Sequence, residues 1–197
     1  MVRVAIDNLG TTEPSASDQL RRFSPVYDAT GNVVPVLYAG DTLACALGET
    51  VFHDLPDDPT VSASVLRADL LTLRAGTFEL SRDIEVLDLS DAALRRRHKA
   101  RSDVVDTTAA RYVDTVAFGR NAWNATKVSG LVWNSRRSAD RLAYMLFVDP
   151  VLDEDKGRAV DRRADLTVTR PPIPLYEGTG LAEVLIAASD RGVSVLF

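Results

Sequence analysis

The stretch VLYAGDTLACALGETVFH, residues 36–53, contains signals for a strand and for a helix in direct succession. It continues a β-branched and apolar run, which predicts a strand from Val33 to Tyr38. Asp41 or Thr42 is suited to cap a helix, and helical spacing of apolar residues extends from there to about His53. The sequence therefore predicts a strand that leads directly into a helix.

Glu49 lies near the end of this predicted helix. Its position is set by the apolar stripe of the helix, which consists of Leu43, Leu47 and Val51. Glu49 falls away from that stripe, on the side shared with Cys45, where a carboxylate either points into water or lines a cleft. Spacing alone favours the solvated glutamate. Glu49 and His53 also stand four residues apart, but two ligands without a third make a weak metal site.

Strands and helices alternate along the rest of the chain without a regular βα repeat. Further strands are predicted at Val2–Ile6, Ser62–Leu73, Glu85–Leu89, Val128–Trp133 and Leu142–Val148. Further helices are predicted at Ser90–Leu94, Arg111–Ala125 and Gly180–Arg191, and an exposed loop at Asp153–Asp165. The predicted fold class is α/β of an α+β-like kind, a mixed sheet with packed helices, in one domain over residues 1–197.

Composition excludes several classes of function. The chain has 197 residues, 46% of them apolar, and a formal net charge of −5, which suits a globular domain and argues against direct nucleic-acid binding. Cys45, His53 and His98 are too few ligands for a structural zinc site. No signal peptide is visible, and no run approaches the ~20 apolar residues of a membrane helix. We therefore expect a cytoplasmic protein with no metal and no membrane contact.

Two further segments carry residue types suited to a binding site. In Arg21-Arg22-Phe23-Ser24-Pro25, an arginine beside an apolar stretch can bind two phosphate oxygens, although an ordinary surface arginine explains the same pattern. In VSGLVWNS, residues 128–135, a strand ends in a polar pair, which either presents Ser135 at a site or forms a plain turn. The basic run at residues 95–101 is interpreted as a solvated helix face. Phosphate-loop, Rossmann and nucleophile-elbow signatures are absent.

Taken in order, these segments resemble the RES domain, a family named for an arginine, a glutamate and a serine. The first part of the resemblance is Arg22-Phe23-Ser24-Pro25, then a strand ending Leu37-Tyr38-Ala39, then an alanine-rich helix with Glu49 and Val51-Phe52-His53. The segment GLVWNSR, residues 130–136, is similar to the serine motif of the family. The family's central helix is resembled by the segment around Tyr112, Thr115, Gly119 and Trp123. The resemblance extends from about Arg3 to Phe147.

The resemblance implies a fold like that of ADP-ribosyltransferases and an activity against NAD. Known members are toxins of bacterial toxin–antitoxin pairs, which cleave the nicotinamide–ribose bond by hydrolysis or phosphorolysis. Their partner is an antitoxin with an Xre-type helix-turn-helix domain. The resemblance thus implies NAD as substrate, inorganic phosphate as an optional co-substrate, and no cofactor. The catalytic residues it implies are Glu49, Arg22 and Ser135, and the substrate-binding residues are Arg3, Arg22, Tyr38 and Thr115. Ser135 is the first choice and Thr115 the second for the hydroxyl that completes the site.

This residue set suits cleavage of the nicotinamide–ribose bond. Departure of nicotinamide leaves an oxocarbenium-like ribose, which a fixed carboxylate such as Glu49 stabilises. Arg3 and Arg22 would hold the pyrophosphate or an attacking phosphate. Tyr38 would stack on the nicotinamide ring, and Ser135 would bind the amide or the ribose. No metal is needed, because the cationic ring leaves as neutral nicotinamide.

Two other functions stay open. A protein ADP-ribosyltransferase would use Glu49 and the arginines equally well. A catalytically silent module acting through a partner protein is favoured by Val4, where the family often has an aromatic residue, and by Gln19-Leu20-Arg21 in place of the family's glycines. A homo-oligomer also stays open.

Overall fold

The computed structural model describes residues 1–56, 61–97, 99–100, 104–107, 111–125, 127–138, 140–149 and 159–197. The strands are β1 (Val2–Ile6), β2 (Val36–Gly40), β3 (Ala63–Leu66), β4 (Leu73–Leu80), β5 (Leu87–Asp88), β6 (Gly130–Asn134), β7 (Leu142–Phe147), β8 (Leu166–Pro174) and β9 (Val193–Leu196). The α-helices are α1 (Leu43–Gly48), α2 (Asp91–Arg96), α3 (Tyr112–Ala125), α4 (Arg162–Asp165) and α5 (Gly178–Ser189). A 3₁₀ turn, Arg67–Leu70, joins β3 to the segment before β4.

Seven strands form one mixed sheet in the order β5-β6-β7-β2-β1-β4-β8, while β3 and β9 pair in a second sheet. Within the described part of the large sheet, β5 and β6 run parallel and the other neighbours run antiparallel. β2 lies in the middle of this order and pairs with β7 from Val36–Phe147 to Gly40–Ala143. The predicted class, a mixed sheet with packed helices, is confirmed. No helix among the described residues is long and apolar enough to cross a lipid bilayer.

Side-chain alternation along β2 divides the apolar core between the two faces of the sheet. Val36 and Tyr38 belong to a cluster with the buried side chains Cys45, Trp123 and Trp133. The intervening Leu37 belongs to a cluster on the opposite face with Phe78, Leu146 and Val160. The first of these two faces therefore carries both α1 and α3.

α1 also contributes to a third cluster on its own face of the sheet. There Ala46 and Leu47 pack with Val4 of β1 and with Val184 of α5. Because alternation along β1 is strict, Arg3 is directed to the opposite face from Val4 and α1.

The helix predicted to run to His53 ends earlier, at Gly48. After Gly48 the chain turns, and the backbone N–H groups of Thr50 and Phe52 both donate to the Leu47 carbonyl, at 3.3 and 2.9 Å. This turn carries Phe52 into the core, where it is almost fully buried. The helical spacing of apolar residues beyond Gly48 reflects burial of a turn, not continuation of the helix.

The strand predicted from Val33 begins three residues later, at Val36. Pro35 has no N–H to donate, and Val34 instead donates to the Val26 carbonyl at 2.8 Å. Val33 forms a bridge with Tyr27. The residues before Pro35 therefore pair with the segment that follows Arg22.

Three strands were not predicted: β4, β8 and β9. Gly76 weakens the strand pattern of β4, yet a Cβ there would lie 2.1 Å from the Thr11 hydroxyl, so glycine is needed for this loop to cross the strand. The prolines of β8 hide its strand pattern in the sequence. β8 is an edge strand of the large sheet, where prolines are tolerated. The strand predicted at Ser62–Leu73 is wrong in part, because Arg67–Leu70 form a 3₁₀ turn.

The exposed loop predicted at Asp153–Asp165 is wrong over its second half, and residues 153–158 lie outside the described part of the chain. Ala159 and Val160 are buried, and α4 follows them. Asp161 caps α4 by accepting from the backbone N–H groups of Arg163 and Ala164. Asp165 then forms an ion pair with Arg82 at 2.9 Å. The charges that suggested a loop are instead used in capping and pairing.

α3 is confirmed where it was predicted, and Gly119 brings it close to the strand face. A Cβ on Gly119 would lie 2.0 Å from the carbonyl oxygen of Phe23 and 3.2 Å from Val26. The absence of a side chain therefore lets α3 pack directly on the backbone that follows Arg22.

We expect Gly119→Ala to destabilise the protein by roughly 1–3 kcal/mol, because the helix or the Phe23 backbone must shift. Helix propensity alone predicts the opposite sign, a gain of about 1 kcal/mol. Urea unfolding measures the difference. Ala117→Gly, at an exposed position of the same helix, is the control and should cost only about 1 kcal/mol. A Gly119→Ala variant more stable than the parent would contradict the close contact.

Candidate active site

The guanidinium of Arg22 lies at the centre of a buried polar network. Its Nη1 donates to Glu49 Oε2 at 2.9 Å, and its Nη2 lies 3.0 Å from His53 Nε2. The side chains of Arg22 and Glu49 are 5% and 14% exposed. Removing a charge from water costs several kcal/mol, so a buried guanidinium requires partners of this kind. The structure thus brings together two of the predicted catalytic residues, Arg22 and Glu49.

Glu49 is positioned by the shortness of α1. Thr42 starts the helix by accepting from the backbone N–H of Cys45 at 3.2 Å, and Glu49 ends it with its N–H on the Cys45 carbonyl at 3.0 Å. At Gly48 a Cβ would lie 2.8 Å from the Cβ of Arg137. Glycine therefore lets the turn between β6 and β7 approach the end of α1.

Ser135 stands at the start of that turn, directly after β6. Its hydroxyl donates to Glu49 Oε1 at 2.7 Å and accepts from the backbone N–H of Arg137 at 3.2 Å. Both oxygens of the Glu49 carboxylate therefore accept a hydrogen bond, one from Ser135 and one from Arg22. Two fixed donors hold the carboxylate in one orientation. The third predicted catalytic residue thus joins the other two.

Thr115 contacts the backbone of the site from α3. Its hydroxyl donates to the carbonyl oxygen of Arg22 and lies 3.1 Å from the carbonyl of Tyr112. The side chain is fully buried. This hydroxyl is used to hold the Arg22 backbone, and Ser135 is the hydroxyl that reaches Glu49.

His53 and Tyr112 belong to the same network, although sequence reasoning assigned neither a role in substrate chemistry. The Tyr112 hydroxyl lies 2.6 Å from His53 Nε2, and His53 Nδ1 lies 2.8 Å from Asp54 Oδ1. Glu49 and His53, the pair considered for a metal, both contact the Arg22 cation. Across the described residues, no group of three or more His, Cys, Asp or Glu side chains is placed to hold a metal ion. In the sequence, the position of His53 four residues after Glu49 is the feature that could have identified it as a site residue.

Tyr38 lies beside the network on the same face of the sheet. Its hydroxyl is 3.2 Å from the Ser24 hydroxyl, and its ring packs edge-on against Trp133. Burial raises the pKa of Tyr38, against the opposing effects of the Ser24 hydrogen bond and the Arg21 and Arg22 charges. Tyr38 is therefore a neutral phenol close to Arg22.

Arg3 is not brought to this network. It points to the other face of the sheet, where its Nη1 donates to the backbone carbonyls of Gly10, Thr11 and Glu13. Burial lowers the pKa of Arg3 to about 10, with the charge of Glu13 acting in the opposite direction. This guanidinium donates to the carbonyls of the loop after β1, and the structure does not bring Arg3 together with Arg22, Glu49 and Ser135.

The network is closed on its inner side and open at Glu49 and His53. Ser135 and Thr115 are fully buried and Arg22 nearly so, whereas the side chain of His53 is 18% exposed. The geometry therefore presents a carboxylate, oriented by two donors, at the edge of a buried cationic centre. A group of this kind stabilises positive charge that develops on a bound molecule.

Taken together, the fold and the site define an α+β protein with a buried arginine–glutamate–serine cluster on one face of a mixed sheet. The chain belongs to the RES-domain family, whose model matches residues 10–168. The matched span contains Arg22, Glu49 and Ser135.

Among solved structures, the chain is similar to the M. tuberculosis MbcT-MbcA toxin–antitoxin complex. The TM-score is 0.57 at 17% sequence identity, over 94% of this chain and 87% of that chain. At this level of identity the likeness concerns the fold. No curated protein sequence matches the chain significantly.

Cys45 provides a test of how closed the network is. It is fully buried on α1, and burial, followed by the charges of Glu49 and Asp41, raises its pKa to about 12. The thiolate is the reactive form, and at pH 8 its fraction is then about 10⁻⁴. We expect no labelling of the native protein by a thiol-reactive dye at pH 8, and one equivalent in denaturant.

The Cys45→Ala variant is the control for background labelling. Because the pKa of Cys45 is raised, its thiol stays neutral in the folded protein up to about pH 12. In the unfolded chain, the Cys45 thiol loses its proton near the ordinary pKa of cysteine. Rapid labelling of the folded protein at pH 8 would contradict the burial of this side of α1.

Proposed function

We propose that this protein is the toxin of a toxin–antitoxin pair and that it destroys NAD by breaking the nicotinamide–ribose bond. The observation that carries the proposal is the Glu49 carboxylate, whose two oxygens accept from Arg22 at 2.9 Å and from Ser135 at 2.7 Å. Membership in the RES-domain family, at the residues for which the family is named, supports it.

The chemistry required of Glu49 is electrostatic. In NAD the bond between ribose C1′ and the pyridinium nitrogen breaks, and its electron pair goes to the ring, which leaves as neutral nicotinamide. The ribose carries the developing positive charge, which a pre-oriented carboxylate stabilises by a few kcal/mol. Water or a phosphate oxygen then forms the new bond to C1′; with water, a proton passes to solvent.

Arg22 acts in this scheme through Glu49. Both of its terminal nitrogens are engaged, one with Glu49 and one with His53, and the side chain is almost fully buried. We therefore assign Arg22 to orienting the carboxylate of Glu49. The exposed Arg21, which lies near Tyr38, is suited to attract the pyrophosphate, and Tyr38 offers a neutral ring for the nicotinamide.

We expect Glu49→Gln to lower the rate of NAD loss at least about 100-fold, because the amide keeps the shape of the side chain and loses its charge. The measurement is NAD concentration over time with the purified protein. Glu183→Gln, on the exposed face of α5, is the matched control and should match the parent rate. Equal NAD loss in the parent and the Glu49→Gln variant would refute the role of Glu49.

Adding inorganic phosphate and NAD labelled in its adenylate half separates the possible products. Labelled ADP-ribose without phosphate indicates hydrolysis, and a requirement for phosphate indicates phosphorolysis. Label retained on protein would indicate a protein ADP-ribosyltransferase. No NAD loss under any condition would overturn the enzyme proposal and leave a silent binding module.

The proposed partner is an antitoxin with a helix-turn-helix domain, acting with this chain in the cytoplasm where NAD is consumed. The fold likeness to a chain of the MbcT-MbcA complex supports a partner of the antitoxin kind. Expression of the parent chain in a bacterium should arrest growth, and expression of Glu49→Gln should not. Vigorous growth with high levels of the intact parent protein would argue against a toxin.

A further inference from the structure

His53 contacts three polar side chains from different parts of the chain. Its Nε2 lies 3.0 Å from Arg22 Nη2 and 2.6 Å from the Tyr112 hydroxyl, and its Nδ1 lies 2.8 Å from Asp54 Oδ1. Arg22 precedes β2, Tyr112 is in α3, and His53 follows α1. The imidazole therefore links three segments at the edge of the Glu49 site.

The chemical types of these partners determine where the imidazole carries its proton. A guanidinium has only donors, so Nε2 must present a lone pair to Arg22. The carboxylate of Asp54 only accepts, so Nδ1 must carry the proton. This combination defines the neutral Nδ1–H tautomer of His53.

Tyr112 is consistent with the same assignment. Burial raises the pKa of Tyr112, with the Arg22 charge opposing, so its phenol keeps its proton. The Tyr112 O–H therefore donates to Nε2, while its oxygen accepts from the Arg22 side chain. The single lone pair of Nε2 thus faces two donors, the Tyr112 hydroxyl at 2.6 Å and Arg22 Nη2 at 3.0 Å.

We propose that His53 is a positioning residue of the NAD-cleaving site, whose neutral Nδ1–H imidazole holds the second arm of the Arg22 guanidinium so that the first arm stays on Glu49. This proposal rests on the proposed function and extends it. With Nη2 on His53 and Nη1 on Glu49, the plane of the guanidinium has a single orientation.

The backbone around both residues is held as well. Arg136 and Arg137 donate to the His53 carbonyl at 3.3 and 3.0 Å, and Thr115 donates to the Arg22 carbonyl. The Arg22–His53 contact is therefore anchored at each end. Loss of the imidazole acceptor would free the guanidinium to rotate and would disorient Glu49.

Protonation of Nε2 would break this arrangement. An imidazolium would place an N–H and a positive charge 3.0 Å from the Arg22 guanidinium. Among the described residues, the charged or titratable groups that face His53 are Arg22, Tyr112, Asp54, Arg136 and Arg137, with Glu49 beyond Arg22. Asp54 is the acidic group of this described set in direct contact, and it is already bonded to Nδ1. A doubly protonated imidazole therefore cannot serve as the acceptor for Arg22.

The tautomer is tested first, because it requires no enzyme activity. Long-range ¹H–¹⁵N spectra of the purified full chain, in a His98→Gln background so that one histidine remains, report which ring nitrogen carries the proton. We expect a protonated Nδ1 and a bare Nε2 at neutral pH. An Nε2–H tautomer or an imidazolium at neutral pH would overturn the proposal.

The functional test compares His53→Gln with His53→Leu. The glutamine amide oxygen replaces Nε2 as an acceptor for Arg22, whereas leucine offers none. We expect His53→Leu to lower kcat about 10–100-fold with little change in KM, since misplacement of a catalytic group by about 1 Å can cost 10²-fold. His53→Gln should recover most of kcat.

Equal activity of the two variants would overturn the positioning role. If His53→Leu fails to fold, kcat and KM of His53→Gln against the parent decide the question: a kcat close to that of the parent is expected, and a loss of about 10–100-fold would overturn the role. Absence of NAD loss in the parent would refute the proposed function only, and the tautomer spectra would then decide whether His53 is the neutral acceptor of Arg22.

Discussion

The buried ion pair between Arg22 and Glu49 is the interaction on which the rest of the site depends. Leaving either charge unpaired in this environment would cost about 3–5 kcal/mol, so the segments that carry them cannot separate cheaply. Ser135 satisfies the second oxygen of Glu49, and His53 satisfies the second arm of Arg22. Three segments that are distant in sequence, around Arg22, residues 49–53 and Ser135, are thereby held in one network.

Two glycines make this network sterically possible. Gly48 lets the turn that carries Ser135 approach the end of α1, and Gly119 lets α3 pack on the backbone next to Arg22. Any side chain at these positions would collide with its neighbour unless the backbone shifted. The absence of a side chain at these two positions therefore contributes to the geometry of the site. The same approach places Thr115 and Tyr112 on the Arg22 and His53 segments.

The two faces of the large sheet carry different polar groups. The face that carries α1, α3 and α5 holds the polar network, while the other face holds Arg3, whose guanidinium organises the loop after β1. A fold of this kind can host different chemistries, so the functional proposal rests on the side chains around Glu49 and not on the sheet. The RES-domain model covers the residues of the Arg22 network, so family membership and the site geometry concern the same residues.

The sequence by itself determined the features that depend on neighbouring residues. These are a strand leading into a helix within residues 33–53, a helix cap at Asp41 or Thr42, the central helix α3 and the mixed α+β class; Arg22, Glu49 and Ser135 became candidates through the resemblance of the sequence to the RES domain. Such signals act over a few residues, through spacing, capping and turn chemistry. Only the tertiary structure decided the end of α1 at Gly48, the removal of Arg3 to the other face, and the roles of His53 and Tyr112. The contacts of Glu49 with Arg22 and Ser135 span 27 and 86 residues, and pairs so distant meet only through the order of the strands.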